Sequence, residues 1–283
     1  MSPSGSPASL ATSPLLEAAG ERVAEILRRI VDSRWRRCAG LGSAVVPEEL
    51  SAAEASEAVF LDHPFLNALR RSSAPAVIAE VKMGSPRIGS LVGRVEPEEQ
   101  ARIYRDHGAA ALSVVVEPDF FFGSLALLER CKRASGLPAV AKDFVVHPEQ
   151  MRQAREAGAD AILLIAALYD GPTLARLGAY ARSLGLVPLV ETHDSNDVAK
   201  LGTAPWELVG VNNRDLRTFE VDLSYSEALL PRLPVSALKV AESGLRGRQE
   251  IRRLSRAGFD AFLIGESLLL APDPAAKLRE LLA

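Results

Sequence analysis

Six charged or amide residues stand at the ends of short apolar runs in this sequence: Glu80, Lys82, Lys142, Glu191, Asn212 and Glu242. In Ala76-Val77-Ile78-Ala79-Glu80-Val81-Lys82, strand side chains alternate between faces, so Glu80 and Lys82 point the same way. Burying an unpaired charge is costly. The two therefore read either as a structural ion pair or as one wall of an active site. A lysine among carboxylates can serve as a general acid or, with a lowered pKa, form a Schiff base. Carboxylates can serve as general bases. The set contains no cysteine or histidine, so it suits proton transfer on a phosphorylated, anionic small molecule. Residue types alone leave two chemistries open, an aldolase-like lyase and an acid/base cyclase or isomerase.

The elements that must position these residues follow a regular pattern from Ala76 onward. The predicted strands are 77–82, 111–116, 139–142, 161–165, 187–191, 208–212, 238–242 and 261–264. Amphipathic segments alternate with them near 97–106, 124–134, 148–156, 171–184, 194–201, 223–230, 246–256 and 273–282. This alternation predicts an α/β fold, a closed (β/α)8 TIM barrel; a doubly wound sheet is the competing architecture. Three copies of a Gly-x-x-strand signature, at Gly108, Gly158 and Gly258, support repeated helix–turn–strand units. In a parallel barrel all strand C-termini lie on one side. The six polar residues, drawn from the first, third, fifth, sixth and seventh strands, then converge on the catalytic face.

A phosphate grip can be read separately. Ser243-Gly244-Leu245-Arg246 follows the seventh strand and Gly265-Glu266-Ser267 the eighth, where glycines let backbone N–H groups approach an anion. Glu266 would contribute its N–H rather than its carboxylate. Ser85 in the first loop could add a hydroxyl.

Composition sets the remaining bounds. With 283 residues and 48% hydrophobic content, the chain can bury a core of the size such barrels need, typically about 250 residues. A net charge of −3, with basic residues dispersed, argues against nucleic acid or a membrane surface as partner. Cys38 and Cys131 are too few for a metal cluster or disulfide framework and read as free thiols suited to a reducing, cytoplasmic setting. His63, His107, His147 and His193 lack metal-binding spacing and are expected on helix surfaces and loops, with no metal site. Residues 1–14 read as a disordered tail. Residues 15–75 read as a helical extension: a helix over Leu15 to Arg37, a short one after Pro47 and a third from Pro64 to Arg71. Residues 76–283 form the barrel.

The motifs resemble those of the indole-3-glycerol-phosphate synthases of tryptophan biosynthesis. They are Ile78-Ala79-Glu80-Val81-Lys82 with Ser85-Pro86, Ser113-Val114, Phe121 with Gly123-Ser124, and Ala141-Lys142-Asp143-Phe144. They continue with Pro188-Leu189-Val190-Glu191-Thr192-His193-Asp194, Gly210-Val211-Asn212-Asn213-Arg214-Asp215-Leu216 and Ala241-Glu242-Ser243-Gly244. The resemblance implies a (β/α)8 barrel with extra N-terminal helices and a cofactor-free reaction. In that reaction 1-(2-carboxyphenylamino)-1-deoxyribulose 5-phosphate closes to indole-3-glycerol phosphate with loss of CO2 and water. It further implies Lys142 as general acid, Lys82 as the anthranilate-carboxylate contact and second acid, and Glu191 as base. Glu80 and Asn212 would orient substrate and lysines, and Glu242 would help to hold this network and bind substrate. Phe121 and Phe144 would bound the anthranilate ring. Arg214, Ser243, Gly244, Gly265 and Glu266 would handle the phosphate and its surroundings. Other enzymes of the tryptophan pathway are the implied protein partners.

Two segments depart from the family's pattern. Met83, Gly84, Arg87 and Ile88 replace a loop close to Lys-Ala-Ser-Pro-Ser-Lys-Gly, and Val116-Glu117-Pro118 stands where a Thr and polar residues are common. Both bear on substrate affinity more than on the chemical step, and a paralogue with an altered substrate is the competing reading.

Overall fold

The computed structural model describes residues 25–38, 60–71, 75–215, 218 and 220–283. The glycine signature seen in the sequence is a repeated hydrogen-bond pattern. Ala109 N–H donates to Tyr104 O at 2.9 Å, Ala159 N–H to Ala154 O at 2.9 Å, and Phe259 N–H to Leu254 O at 3.0 Å. In each case the preceding glycine has positive φ, which closes the helix and turns the chain back at little steric cost. The next residue then joins the sheet: Ala110 N–H meets Val77 O, Asp160 N–H meets Ala139 O, and Asp260 N–H meets Lys239 O, each at 2.9 Å.

These turns launch eight parallel strands: β1 (Ala76–Val81), β2 (Ala111–Val115), β3 (Ala139–Lys142), β4 (Ala161–Ile165), β5 (Val187–Thr192), β6 (Leu208–Asn212), β7 (Leu238–Glu242) and β8 (Ala261–Ile264). Each pairs with its sequence neighbours, and β1 also pairs with β8 from Ala76↔Ala261 to Ala79↔Ile264. That last pairing closes the barrel and removes the doubly wound alternative. The strands are buried apart from Leu238 and Lys239 of β7 and the terminal Lys142 of β3, as expected for parallel strands covered on both faces.

The helices are α1 (Glu25–Cys38), α2 (Pro64–Arg70), α3 (Pro97–Asp106), α4 (Leu125–Ser135), α5 (Pro148–Glu156), α6 (Gly171–Ser183), α7 (Ser195–Lys200), α8 (Ser224–Leu229), α9 (Arg248–Ala257), α10 (Glu266–Leu269) and α11 (Pro274–Leu282). Helix α1 buries Leu27, Ile30 and Val31 at helical spacing. The predicted first half of that helix, the short helix after Pro47 and the 1–14 tail lie outside the described residues. Two boundaries matter for the site. Strand β1 ends at Val81, so Lys82 is the first residue beyond it, and β5 runs one residue past Glu191. The first loop holds an unanticipated antiparallel hairpin, Gly84–Ser85 against Gly89–Ser90.

The opposite end of the barrel carries a purely structural polar cluster. Arg182 of α6 reaches Glu207, just before β6, at 2.9 Å, and lies 5.5 Å from the Trp206 ring centroid. Phe60 N–H also donates to Glu207 at 3.1 Å. Buried charges there are fully matched, as their burial requires.

Candidate active site

The C-terminal ends of the strands surround a cavity of about 420 Å³. Its lining includes Glu80, Lys82, Lys142, Glu191 and Asn212, so five of the six polar strand-end residues share one space. Glu80 joins both lysines. One carboxylate oxygen lies 2.9 Å from Lys82 Nζ and the other 3.5 Å from Lys142 Nζ. Burial alone would raise its pKa, but the two ammonium groups outweigh that and hold it at about 2. Lys142 also lies 3.5 Å from Glu242. Burial disfavours its charge, yet Glu80, Glu242 and Glu191 more than compensate and push its pKa up. Lys142 is therefore an ammonium at neutral pH.

Glu242 is the sixth of these strand-end residues. It is 1% exposed and outside the lining. Its position follows from β7, whose Glu242 stands beside Asn212 of β6 and Leu263 of β8. Burial and then the nearby Glu191 carboxylate raise its pKa, while Glu191 is shifted down against its own burial by His193 and Lys142. Of this pair Glu191 is the stronger acid and Glu242 the weaker. His193 lies in the loop between β5 and α7. Its side chain is 8% exposed, with Nε2 3.1 Å from Glu191 and Nδ1 3.4 Å from Asp197. The sequence signal for it, a His two residues past a strand-end Glu and four before an Asp, is weak without the fold.

Asn212 turns its carbonyl oxygen to the Arg214 N–H at 3.0 Å. Its neighbour Asn213, missed in the sequence, is fully buried and donates to the Glu242 and Ser243 carbonyls at 3.0 and 3.2 Å. This bond holds the turn in which Ser243 and Gly244 are both left-handed, with φ of 64° and 78°. The turn lines the cavity with Arg246, Gly265, Glu266 and Ser267. The Glu266 carboxylate is held by Arg87 and lies 3.8 Å from Arg214, so its charge is compensated. Ser85 lies outside the cavity lining; its hydroxyl accepts the Ile88 N–H at 3.3 Å and shapes the hairpin.

Phe121 and Phe144 face one another across the cavity mouth with ring centroids 5.9 Å apart. The loop bearing Phe121 is built around Glu117, fully buried, whose carboxylate takes the N–H groups of Asp119, Phe120 and Phe121 at 2.7–2.9 Å. This departure from the family pattern thus organises a loop. Gly84 is required for a related reason: a Cβ there would lie 2.4 Å from Gly89 O and 2.6 Å from the Phe122 ring. Helix α1 clamps both aromatic loops, through Arg34 to Asp143 and through Ser33 and Arg37 to Asp119. Among the described residues, no group of three or more His, Cys, Asp or Glu is placed to hold a metal ion, and no helix is long and apolar enough to cross a membrane.

Comparison with known proteins agrees with this geometry. The family model for indole-3-glycerol phosphate synthase matches residues 27–281. The indole-3-glycerol phosphate synthase of Burkholderia vietnamiensis is 42% identical over 259 residues, covering 90% of this chain and 98% of the relative. That of Albidiferax ferrireducens is 40% identical over 263 residues, covering 92% and 98%. The crystal structure of 3-hexulose-6-phosphate synthase from Salmonella typhimurium superposes with a TM-score of 0.57 at 15% identity, covering 73% of this chain and 96% of that one. It shares the fold.

Proposed function

The chain belongs to the indole-3-glycerol phosphate synthase family, and on that premise we propose how its strand-end residues carry out the decarboxylating ring closure. The substrate is 1-(2-carboxyphenylamino)-1-deoxyribulose 5-phosphate and the product indole-3-glycerol phosphate. A bond forms between the ring carbon that bears the carboxylate and the substrate's carbonyl carbon; CO2 then leaves, and finally the hydroxyl departs as water. Lys142 is the general acid. Its ammonium polarises the carbonyl, protonates the oxygen and assists its departure.

The observation that carries this reading is the place of Lys142 in the cavity lining, 3.5 Å from both Glu80 and Glu242. Flanking carboxylates keep it protonated, which suits an acid and disfavours the free amine that a Schiff-base aldolase needs. Lys82 takes the anthranilate carboxylate and supplies a second acid, with Glu80 fixing the spacing of the two ammonium groups. Glu191, the more acidic member of its carboxylate pair, is the base for the later proton loss. Asn212 orients the substrate, Phe121 and Phe144 bound its ring, and the Ser243-Gly244 and Gly265-Glu266 loops with Arg214 take the phosphate end. Glu242 acts through Lys142. Buried free thiols at Cys38 and Cys131 favour a cytoplasmic location, where other enzymes of the tryptophan pathway would supply and consume these compounds.

The test is turnover of the carboxyphenylamino-deoxyribulose phosphate, followed by the indole fluorescence of the product. The reading requires turnover with release of one CO2 per product; an intact, folded protein that leaves this substrate unchanged overturns it.

A further inference from the structure

His193 is buried where the chain leaves β5, and its two ring nitrogens face two carboxylates: Nε2 lies 3.1 Å from Glu191 and Nδ1 3.4 Å from Asp197. Asp197 is fixed in turn. One oxygen accepts the His193 backbone N–H at 3.1 Å, and the other accepts Lys200 Nζ at 3.0 Å. Lys200 also donates to Ala166 O at 2.7 Å, which ties α7 to the segment after β4. The charged groups around the imidazole are Glu191 of β5 and Asp197 of α7, with Lys200 of α7 acting on Asp197 and Lys142 of β3 and Glu242 of β7 acting on Glu191.

A neutral imidazole has one N–H and one lone pair, so it would turn the lone pair toward one of these carboxylates. The doubly protonated ring is a cation within ion-pair distance of both carboxylates, although neither nitrogen meets hydrogen-bond geometry. Glu191 meanwhile shares its surroundings with Glu242, and two neighbouring buried carboxylates cannot both ionise cheaply. A cation on the outer side of Glu191 decides which of them does.

We propose that His193 is a positioning residue, held as an imidazolium between Glu191 and Asp197, that fixes the Glu191 carboxylate and keeps it ionised beside Glu242. Burial opposes the charge on His193, but contacts with Asp197 and Glu191 outweigh it and lift its pKa to about 9. The inference rests on Glu191 being the base of the reaction. It divides the labour along β5: Glu191 meets the substrate, and His193 sets its charge from the side away from the cavity.

The test is the pH profile of kcat/KM for the wild type, His193→Gln and Asp197→Asn. In His193→Gln the acidic limb should move up by about one pH unit or more. Activity should therefore be lost on the acid side of the profile at a higher pH than in the wild type and recover toward neutral pH, with KM little changed. Asp197→Asn, which keeps the ring but weakens its charge, should move the limb the same way by less. A uniform loss at every pH with an unmoved limb would make His193 a packing residue and overturn the proposal. If His193→Gln does not fold, an unmoved limb in Asp197→Asn overturns it equally. Glu191→Gln separates the two levels: full activity in that variant removes the base itself, and the proposed role of Glu191 fails along with the inference.

Discussion

Gly265 leaves open the space in which Glu80 stands. A Cβ at that position would lie 2.2 Å from one carboxylate oxygen of Glu80 and 2.8 Å from its carboxyl carbon. Gly210 of β6 does the same for Glu242, with a Cβ placed 2.1 Å from its carboxyl oxygen. Neither glycine has a positive φ, so what each supplies is space. The two carboxylates that flank Lys142 are each admitted by a glycine from another strand or strand end.

Gly265→Ala should therefore push Glu80 away from Lys82 and Lys142. We expect turnover to fall at least about tenfold, with an overpacking cost of about 1–3 kcal/mol. Steady-state kinetics and denaturant unfolding check this; activity within twofold of wild type would show that Glu80 tolerates displacement.

Arg34 and Asp143 are 109 positions apart, yet their pair holds α1 against the residue next to Lys142. Asp143 also accepts the Phe144 N–H at 2.9 Å and Gln150 Nε2 at 2.9 Å. Burial already raises its pKa, with Arg34 the chief opposing charge. Arg34→Gln should destabilise the fold by about 3 kcal/mol, because it leaves a buried carboxylate without its cation. It should also raise KM, because Phe144 follows Asp143. The denaturant midpoint and KM for the natural substrate are the measurements; an unchanged midpoint would mean that Gln150 and the Phe144 N–H suffice.

Glu80 makes stability depend on acid. Its pKa is about 2 in the fold and 4.5 unpaired, so between these values the unfolded chain binds more protons and stability rises with pH. The contribution, on the order of 3 kcal/mol, is complete above about pH 4.5 and lost as pH falls through about 2. Glu80→Gln should flatten the dependence of unfolding free energy on pH in that window. An unaltered slope would place the acid sensitivity elsewhere.

Most of the barrel is legible in the sequence because its strands are short apolar runs with polar last residues, and parallel topology puts all those ends on one side. Lys82, Lys142, Glu191 and Asn212 can be placed from that rule alone. What the sequence hides depends on contacts between distant segments. Glu242 looks like any other strand-end carboxylate until the fold sets it 3.5 Å from Lys142. His193 follows its strand and shows its role only when α7 brings Asp197 to its other nitrogen. Gly265 reads as a phosphate-loop glycine, and its service to Glu80 appears only when β1 pairs with β8. Arg34 and Arg37 look like the basic end of a solvated helix, and their partners lie in loops far along the chain.

The most direct measurement is a single-turnover experiment with Lys142→Ala and the natural substrate, reading bound substrate, released CO2 and indole fluorescence separately. We expect substrate to bind while product formation falls by about 10²–10⁴-fold, the contribution of a positioned general acid. Turnover within tenfold of wild type would contradict Lys142 as the acid and move that role to Lys82.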